Sequence, residues 1–263
     1  MERALLIIDG TVLVLRPWFA KVSAPWAVAR NVLRREAAKY THVAVVIDRT
    51  MDTFRRKLDP RYKAHRPRAS EELIAHFNRF EEEVERLGIA LFGSLRVEAD
   101  DLAATLTRHA VAAKLPVRIQ APDKDLFQLV RDAPPSVRVI APKKGWSIDE
   151  AGVKERLGVS PGQVIDFQAL VGDATDGVVG VAGVGAKTAA ALLKARGSLD
   201  AIYADLDGLK TLPIRGAKRL PEKLAAGHAD AMLARQLVTL LQDVDLGADP
   251  LARCRMPSFD AGS

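Results

Sequence analysis

The 263-residue chain has one cysteine, Cys254, in a polar C-terminal stretch. An intrachain disulfide framework and a multi-cysteine metal site are therefore excluded, and Cys254 reads as incidental. No apolar run approaches the ~20 residues that a membrane-spanning helix needs. The N-terminus runs straight into a strand pattern and has no signal-peptide character, so a cytoplasmic protein with no membrane partner is expected. There is no long internal repeat and no low-complexity segment. At 48% hydrophobic the chain can still bury a substantial core, enough for one large domain or two small ones.

Charge is abundant, and it is unevenly shared. The net charge is +6 and the isoelectric point is near 9.5. Nine carboxylates fall into five tight groups: Asp9; Asp48; Glu98, Asp100 and Asp101; Asp123 and Asp125; Asp173 and Asp176. Setting nine of the 33 acidic residues apart leaves 24 against 39 Lys and Arg, a body near +15. A basic body around an acidic centre suits a polyanionic substrate.

The groups at Asp9, Asp48 and Asp123 each follow a short β-type run: Ala4–Ile8, Val43–Ile47 and Val117–Ala121. Strand patterns alternate with helical ones to about residue 150, which predicts βαβ units and a mostly parallel sheet. The C-terminal strand ends of such a sheet share one edge, where ligands bind. Like charges gather there only around something positive, and hard divalent cations with oxygen ligands are the obvious candidate. Some groups have plainer readings when taken alone. Asp100 and Asp101 would each favour a helix N-terminus by ~0.3–1 kcal/mol. Asp173-x-x-Asp176 would pass for a solvated turn. Strand alternation is expected to put Asp123 and Asp125 on one side.

Helices are expected around Trp26–Lys39, Glu71–Leu87 and Asp100–Lys114. A strand at Val137–Ala141 should lead through a turn at Lys143-Lys-Gly145, with Ser147-x-x-Glu150 as a capping box before a helix to Leu157. From Ser160 onward the strand signal disappears and short, glycine-punctuated helices follow. The expected division is an α/β core at 1–155 with a basic arch at about 49–70, a helical subdomain at 156–250, and a tail at 251–263.

Two further segments bear chemistry. Residues 54–68 hold seven Lys or Arg against one acid, with Tyr62 among them. On a helix Tyr62, Lys63 and Arg66 would share a face, and cations beside an aromatic platform suit single-stranded nucleic acid. The second is Gly180-Val-Ala-Gly-Val-Gly-Ala-Lys-Thr188. Its spacing is too short for a Walker loop, and it joins helix to helix, unlike a Rossmann fingerprint. A helix–hairpin–helix at about 180–194 fits, with Gly183 and Gly185 shaping the turn and Lys187 and Thr188 at a helix N-terminus open to phosphate. Asp9-Gly10-Thr11 is not a haloacid-dehalogenase motif, since Ile7 stands where the nucleophilic aspartate would be.

In order along the chain, Leu6-Ile-Ile-Asp-Gly10 with Arg16, Phe54-Arg55, Tyr62-Lys-Ala-His-Arg66, Glu98-Ala-Asp-Asp101, Asp123-Lys-Asp-Leu-Phe-Gln-Leu129, Gly172-Asp-Ala-Thr-Asp176 and the glycine hairpin resemble the 5′-nuclease family. That family includes flap endonucleases and the 5′→3′ exonuclease domain of bacterial DNA polymerase I. The resemblance implies a PIN-like α/β core with a helical subdomain and two Mg²⁺ or Mn²⁺ ions. Asp9, Asp48, Glu98 and Asp100, with Asp101 nearby, would serve one ion; Asp123, Asp125, Asp173 and Asp176 would serve the other. Tyr62, Lys63 and Arg66 match the active-site arch, and Arg16 and Arg55 match basic residues near the scissile phosphate. The hairpin matches an element that grips duplex DNA and can hold K⁺. The implied partner is DNA with a 5′ end or flap at a single-strand/duplex junction, met by a monomer in the bacterial cytoplasm during replication and repair. Rival readings are a non-catalytic DNA-structure binder of the same fold and a PIN-type ribonuclease. Gly177 stands where the family often has Asn, Ala121-Pro122 where Thr-Gly is common, and Ala182 where proline is frequent. The aromatic before Arg16 is absent, and the stretch between Asp9 and Asp48 is short.

Overall fold

Residues 4–8 are apolar without a break, the pattern of a strand covered on both faces. In the computed structural model, which describes residues 1–121, 123–141 and 145–256, they form the centre of β1 (Glu2–Asp9). With β2 (Tyr40–Asp48), β3 (Ala90–Ser94), β4 (Val117–Gln120), β5 (Val137–Ala141) and β6 (Trp146–Ile148) it makes a six-stranded sheet of order β3-β2-β1-β4-β5-β6. The β3–β2, β2–β1, β1–β4 and β4–β5 pairs are parallel. Helices flank the sheet. Leu6, Ile8, Val43, Val45 and Ile47 pack with Val14 of α1 (Gly10–Phe19), Leu33 of α2 (Pro25–Ala37) and Phe80 of α4 (Glu71–Arg86). Helix α5 (Ala99–Ala112) lies against β2, β3 and β4 and buries Leu102, Leu106 and Ala110. The α/β expectation with a mostly parallel sheet holds.

The chain divides into two compact units. The first comprises Met1–Thr53, Pro67–Ser147 and Leu240–Ser263, and the second Phe54–Arg66 and Ile148–Thr239. The second unit is helical. It contains α3 (Phe54–Leu58), α6 (Glu150–Leu157), α7 (Val164–Val171), α8 (Ala186–Arg196), α9 (Leu199–Ala204), α10 (Leu220–Ala226) and α11 (His228–Val238). A small antiparallel pair, β7 (Gly172–Asp173) with β8 (Val178–Val179), sits among them, so strand structure persists beyond residue 160.

Several local expectations need correction. Helix α1 goes unseen in the sequence because Pro17 interrupts its pattern; the proline lies in the C-terminal half of the helix, where it forfeits the one i→i−4 hydrogen bond to Leu13 O without ending the helix. The cap of α6 is Asp149, whose Oδ1 accepts from Gly152 N at 2.7 Å; Ser147 belongs to β6. Residues 251–256 are not a loose tail. β3 pairs with β2 only from Ala44 onward, which leaves the earlier part of β2 with an open edge. Helix α12 (Pro250–Arg253) brings the following residues there. Val43 N donates to Cys254 O at 2.7 Å and Met256 N to Thr41 O at 2.9 Å, satisfying the backbone of that edge. Cys254 is buried, and burial pushes its thiol up to about 12, so it is a structural residue. Pro122, Lys143, Lys144 and residues 257–263, which carry parts of the strand-end, turn and tail expectations, lie outside the described residues.

Candidate metal centre and nucleic-acid interface

The strand order reverses between β1 and β4, and crevices at such a reversal are ligand sites. Asp9 is the last residue of β1, one step beyond the Ile8–Gln120 register pair. Asp48 ends β2 next door, opposite Ser94 of β3. Asp123 follows the end of β4 by three residues. Asp9 feels the charge of both other carboxylates. Asp9 is lifted from an ordinary 3.8 to about 7, first by burial and then by the negative charge of Asp48, with Asp123 adding to it. N–H groups of Val12 and Thr11 offset part of that rise.

Each carboxylate is held by local structure. Asp9 caps α1, its Oδ1 accepting from Val12 N at 2.9 Å. Gly10 follows because a Cβ there would lie 2.7 Å from Val45 Cγ1 and 2.8 Å from Ile47 Cγ2. The Asp-Gly pair thus lets α1 start tight against the sheet. Asp48 Oδ1 accepts from Ala99 N at 2.8 Å, anchoring the start of α5, while Asp48 N donates to Thr11 Oγ1 at 2.9 Å. Thr11 is a positioning residue that sequence reasoning missed; the Asp9-Gly10-Thr11 run was its only signal. Glu98 is the buried N-cap of α5 and Asp100 lies in its first turn, so both belong to the same strand-end edge.

Three of the predicted ligands sit differently from expectation. Asp101 is fully buried, and its two oxygens accept from Glu98 N at 3.1 Å and Leu241 N at 2.9 Å. Its capping role therefore prevails over a ligand role. Asp123 and Asp125 do not alternate along a strand. β4 ends at Gln120, and Asp123 Oδ1 accepts from Asp125 N at 2.9 Å at the entry to a 3-10 turn, Asp125–Leu129. A side-chain-to-backbone turn, and not pleating, orients this pair.

In the helical unit Asp173 and Asp176 share one tight turn. Asp173 Oδ1 accepts from Thr175 N at 2.9 Å, and both acids are largely buried. Asp176 is the centre of a cationic cluster: Arg66 Nη2 lies 2.6 Å from its Oδ1, and Lys63 Nζ and Tyr62 Oη each lie 3.5 Å from its Oδ2. Lys63 N also donates to Asp176 O at 2.8 Å. Residues 60–66 are a series of turns with Lys63 at φ +51°, so the expected shared helix face is replaced by convergence on one carboxylate. Gly177, at φ +72°, permits this. A Cβ there would lie 2.6 Å from Arg61 O.

Tyr62 is buried at 4% exposure, with its hydroxyl on Asp176, and is not an open stacking platform. Arg55 is also corrected. It is 1% exposed, and donates to Leu237 O at 2.6 Å and Thr239 O at 3.0 Å, tying down the end of α11. A guanidinium so placed holds carbonyls and is out of reach of a phosphate. Arg16 is exposed in the last turn of α1.

The glycine hairpin lies between α7 and α8. Gly183 takes φ +73°, while Gly185 has φ −92° and serves as the N-cap of α8 without a side chain. Lys187 is exposed and Thr188 half-buried in the first turn. Free N–H groups at such a terminus suit an anion. Among the described residues no helix is long and apolar enough to cross a membrane.

Residues 4–158 match the family described as 5′-3′ exonuclease, N-terminal resolvase-like domain, and residues 159–261 match the 5′-3′ exonuclease, C-terminal SAM fold. The chain belongs to the 5′-3′ exonuclease family. DNA polymerase I of Pseudomonas aeruginosa is 38% identical over 260 residues, covering 94% of this chain and 28% of that protein. DNA polymerase I of Treponema pallidum is 39% identical over 203 residues, 77% of this chain and 20% of its own length. The chain thus spans under a third of the relatives it matches. Among solved structures, the T5 5′-exonuclease with bound zinc superposes with a TM-score of 0.70 at 25% identity, covering 90% of this chain and 89% of that one. The catalytic core of Rad2 in complex with DNA shares the fold, with a TM-score of 0.61 at 16% identity over 93% of this chain and 80% of that one.

Proposed function

We propose that this 5′-3′ exonuclease family member hydrolyses DNA phosphodiesters at 5′ ends or 5′ flaps in a divalent-metal-dependent reaction. The observation that carries this reading is the convergence of Asp9, Asp48 and Asp123 at the reversal of strand order, where Asp9 feels both other charges. An all-carboxylate donor set fits hard cations such as Mg²⁺ or Mn²⁺. When bound, such ions supply an acidified water and neutralise charge on the cleaved phosphodiester.

The chain's own residues do the rest. Asp9, Asp48, Glu98 and Asp100 are the candidate donors for one ion, and Asp123, Asp125, Asp173 and Asp176 for another. Lys63 and Arg66, held ready on Asp176, offer positive charge to a phosphate group. Arg16 adds an exposed cation, and Tyr62 braces the arch from inside. The hairpin of Gly183, Gly185, Lys187 and Thr188, within the helical unit, grips the duplex backbone and is the place for a K⁺ ion. The products carry a 5′-phosphate and a 3′-hydroxyl. The enzyme works as a monomer at the bacterial nucleoid in replication and repair.

A cleavage assay on a 5′-flap substrate tests this. Turnover is expected with Mg²⁺ and none with EDTA. Asp123→Asn and Asp125→Asn should each abolish cleavage and largely spare DNA binding. Undiminished cleavage in either variant refutes the scheme, and cutting confined to an RNA flap would make the protein a ribonuclease.

A further inference from the structure

The segment from Gly208 to Gly227 carries Lys210, Arg215, Lys218, Arg219 and Lys223 against a single acid, Glu222. Lys210 is paired with Asp207 at 2.6 Å. Among the described residues Arg215, Lys218 and Arg219 have no ion-pair partner, and all three are exposed. Elsewhere in the same unit Arg61, Arg196 and Arg235 each lie on a carboxylate: Asp59, Asp205 and Asp200. Arg215, Lys218 and Arg219 thus set three uncompensated cations within five consecutive residues. The stretch is also fixed in place. Ala217, Leu220 and Leu224 are buried beneath it, and α10 begins within it. Lys223 Nζ donates to Gly183 O at 3.3 Å, which sets α10 against the glycine hairpin.

We propose that Arg215, Lys218, Arg219 and Lys223 form a second contact for the phosphate backbone of duplex DNA, continuous with the hairpin. The inference rests on the DNA-cleaving reading above. Neighbouring cations repel one another, and a polyanion supplies the missing counter-charge. Binding to single strands by stacking needs exposed aromatic rings, and residues 208–227 contain none. Contacts to phosphate alone position a duplex without reading its sequence.

The test is duplex binding by fluorescence anisotropy, in EDTA, across a range of KCl concentrations. The full chain is compared with the triple variant Arg215→Gln, Lys218→Gln, Arg219→Gln. Losing three phosphate contacts should lower the slope of log K against log[KCl] by about 2.7 and weaken duplex binding about tenfold or more at low salt. The deficit should shrink as salt rises. Turnover at saturating flap and the melting temperature should stay as in the parent. Glu222→Gln should tighten duplex binding, a gain that misfolding cannot produce. Parent-like slope and affinity in the triple variant, with no gain in Glu222→Gln, overturn the proposal while leaving the nuclease reading intact. Failure of the parent chain itself to bind duplex or cut flaps overturns both.

Discussion

Asp9→Asn should make the metal-free protein more stable at pH 8. In the folded chain Asp9 ionises near 7 instead of 3.8, because burial and the charges of Asp48 and Asp123 oppose its anion. Below pH 3.8 the carboxyl is protonated whether the chain is folded or not, and it costs nothing. Between 3.8 and about 7 the folded state keeps a proton that the unfolded state releases, so stability falls as pH rises. Above about 7 the loss is complete. At about 1.36 kcal/mol per pH unit, that span gives about 4 kcal/mol as the upper end, with relaxation lowering it towards about 2 kcal/mol. Asparagine keeps the volume and still caps α1 through Val12 N, so its cap contribution is preserved. Urea unfolding in EDTA should therefore show the variant ahead at pH 8, by a margin that narrows towards pH 4. Added Mg²⁺ should reverse the order, because binding to the native state stabilises the parent more. Equal stability of the two proteins at pH 8 in EDTA, or a margin independent of pH, would refute the idea that these carboxylates repel one another.

Three other substitutions probe the scaffold. Gly10→Ala places a Cβ against Val45, Ile47 and Phe80 and should cost about 1–3 kcal/mol in denaturant melts; a neutral change would mean that α1 shifts freely. Arg55→Met strips Leu237 O and Thr239 O of their donor and should destabilise by about 2–5 kcal/mol. The surviving folded fraction should keep parent-like turnover, and a selective loss of turnover would return Arg55 to the reaction. Gly177→Asn keeps a tolerated backbone conformation yet drives a Cβ towards Arg61 O, displacing the arch from Asp176. Flap cleavage should drop about tenfold or more while duplex affinity holds; unchanged cleavage would show that the arch needs no such seat.

How much of the fold is legible in the sequence follows from what each signal encodes. β1 and β2 are legible because strands covered on both faces spell continuous apolar runs, β4 because Val117 and Ile119 alternate with Arg118 and Gln120, and the acid that follows each marks the sheet edge. Helix α4 is legible from Ser70 to Arg86 because a serine cap, two acids in the first turn and an amphipathic stripe all agree. The fates of Asp101 and Arg55 are hidden, since their partners, Leu241 and Leu237, are more than 100 residues away in sequence and are reached through backbone groups that leave no trace in residue identity. Tyr62 misleads for a related reason. A basic, turn-rich stretch looks solvated, and only the seat offered by Gly177 and Asp176 draws the ring inward. The open edge of β2 is equally silent, because a strand does not advertise which neighbour stops short.

That edge has a consequence for how the protein is made. The first unit leaves off at Ser147 and resumes at Leu240, so an emerging chain exposes part of a parallel sheet until α12 has left the ribosome. Until residues 254–256 dock, Thr41–Val43 offer unpaired backbone groups to any passing strand. A gene shortened just after the helical unit would yield a sheet with that flank permanently bare, and its product should be lost to aggregation before any loss of chemistry is measured.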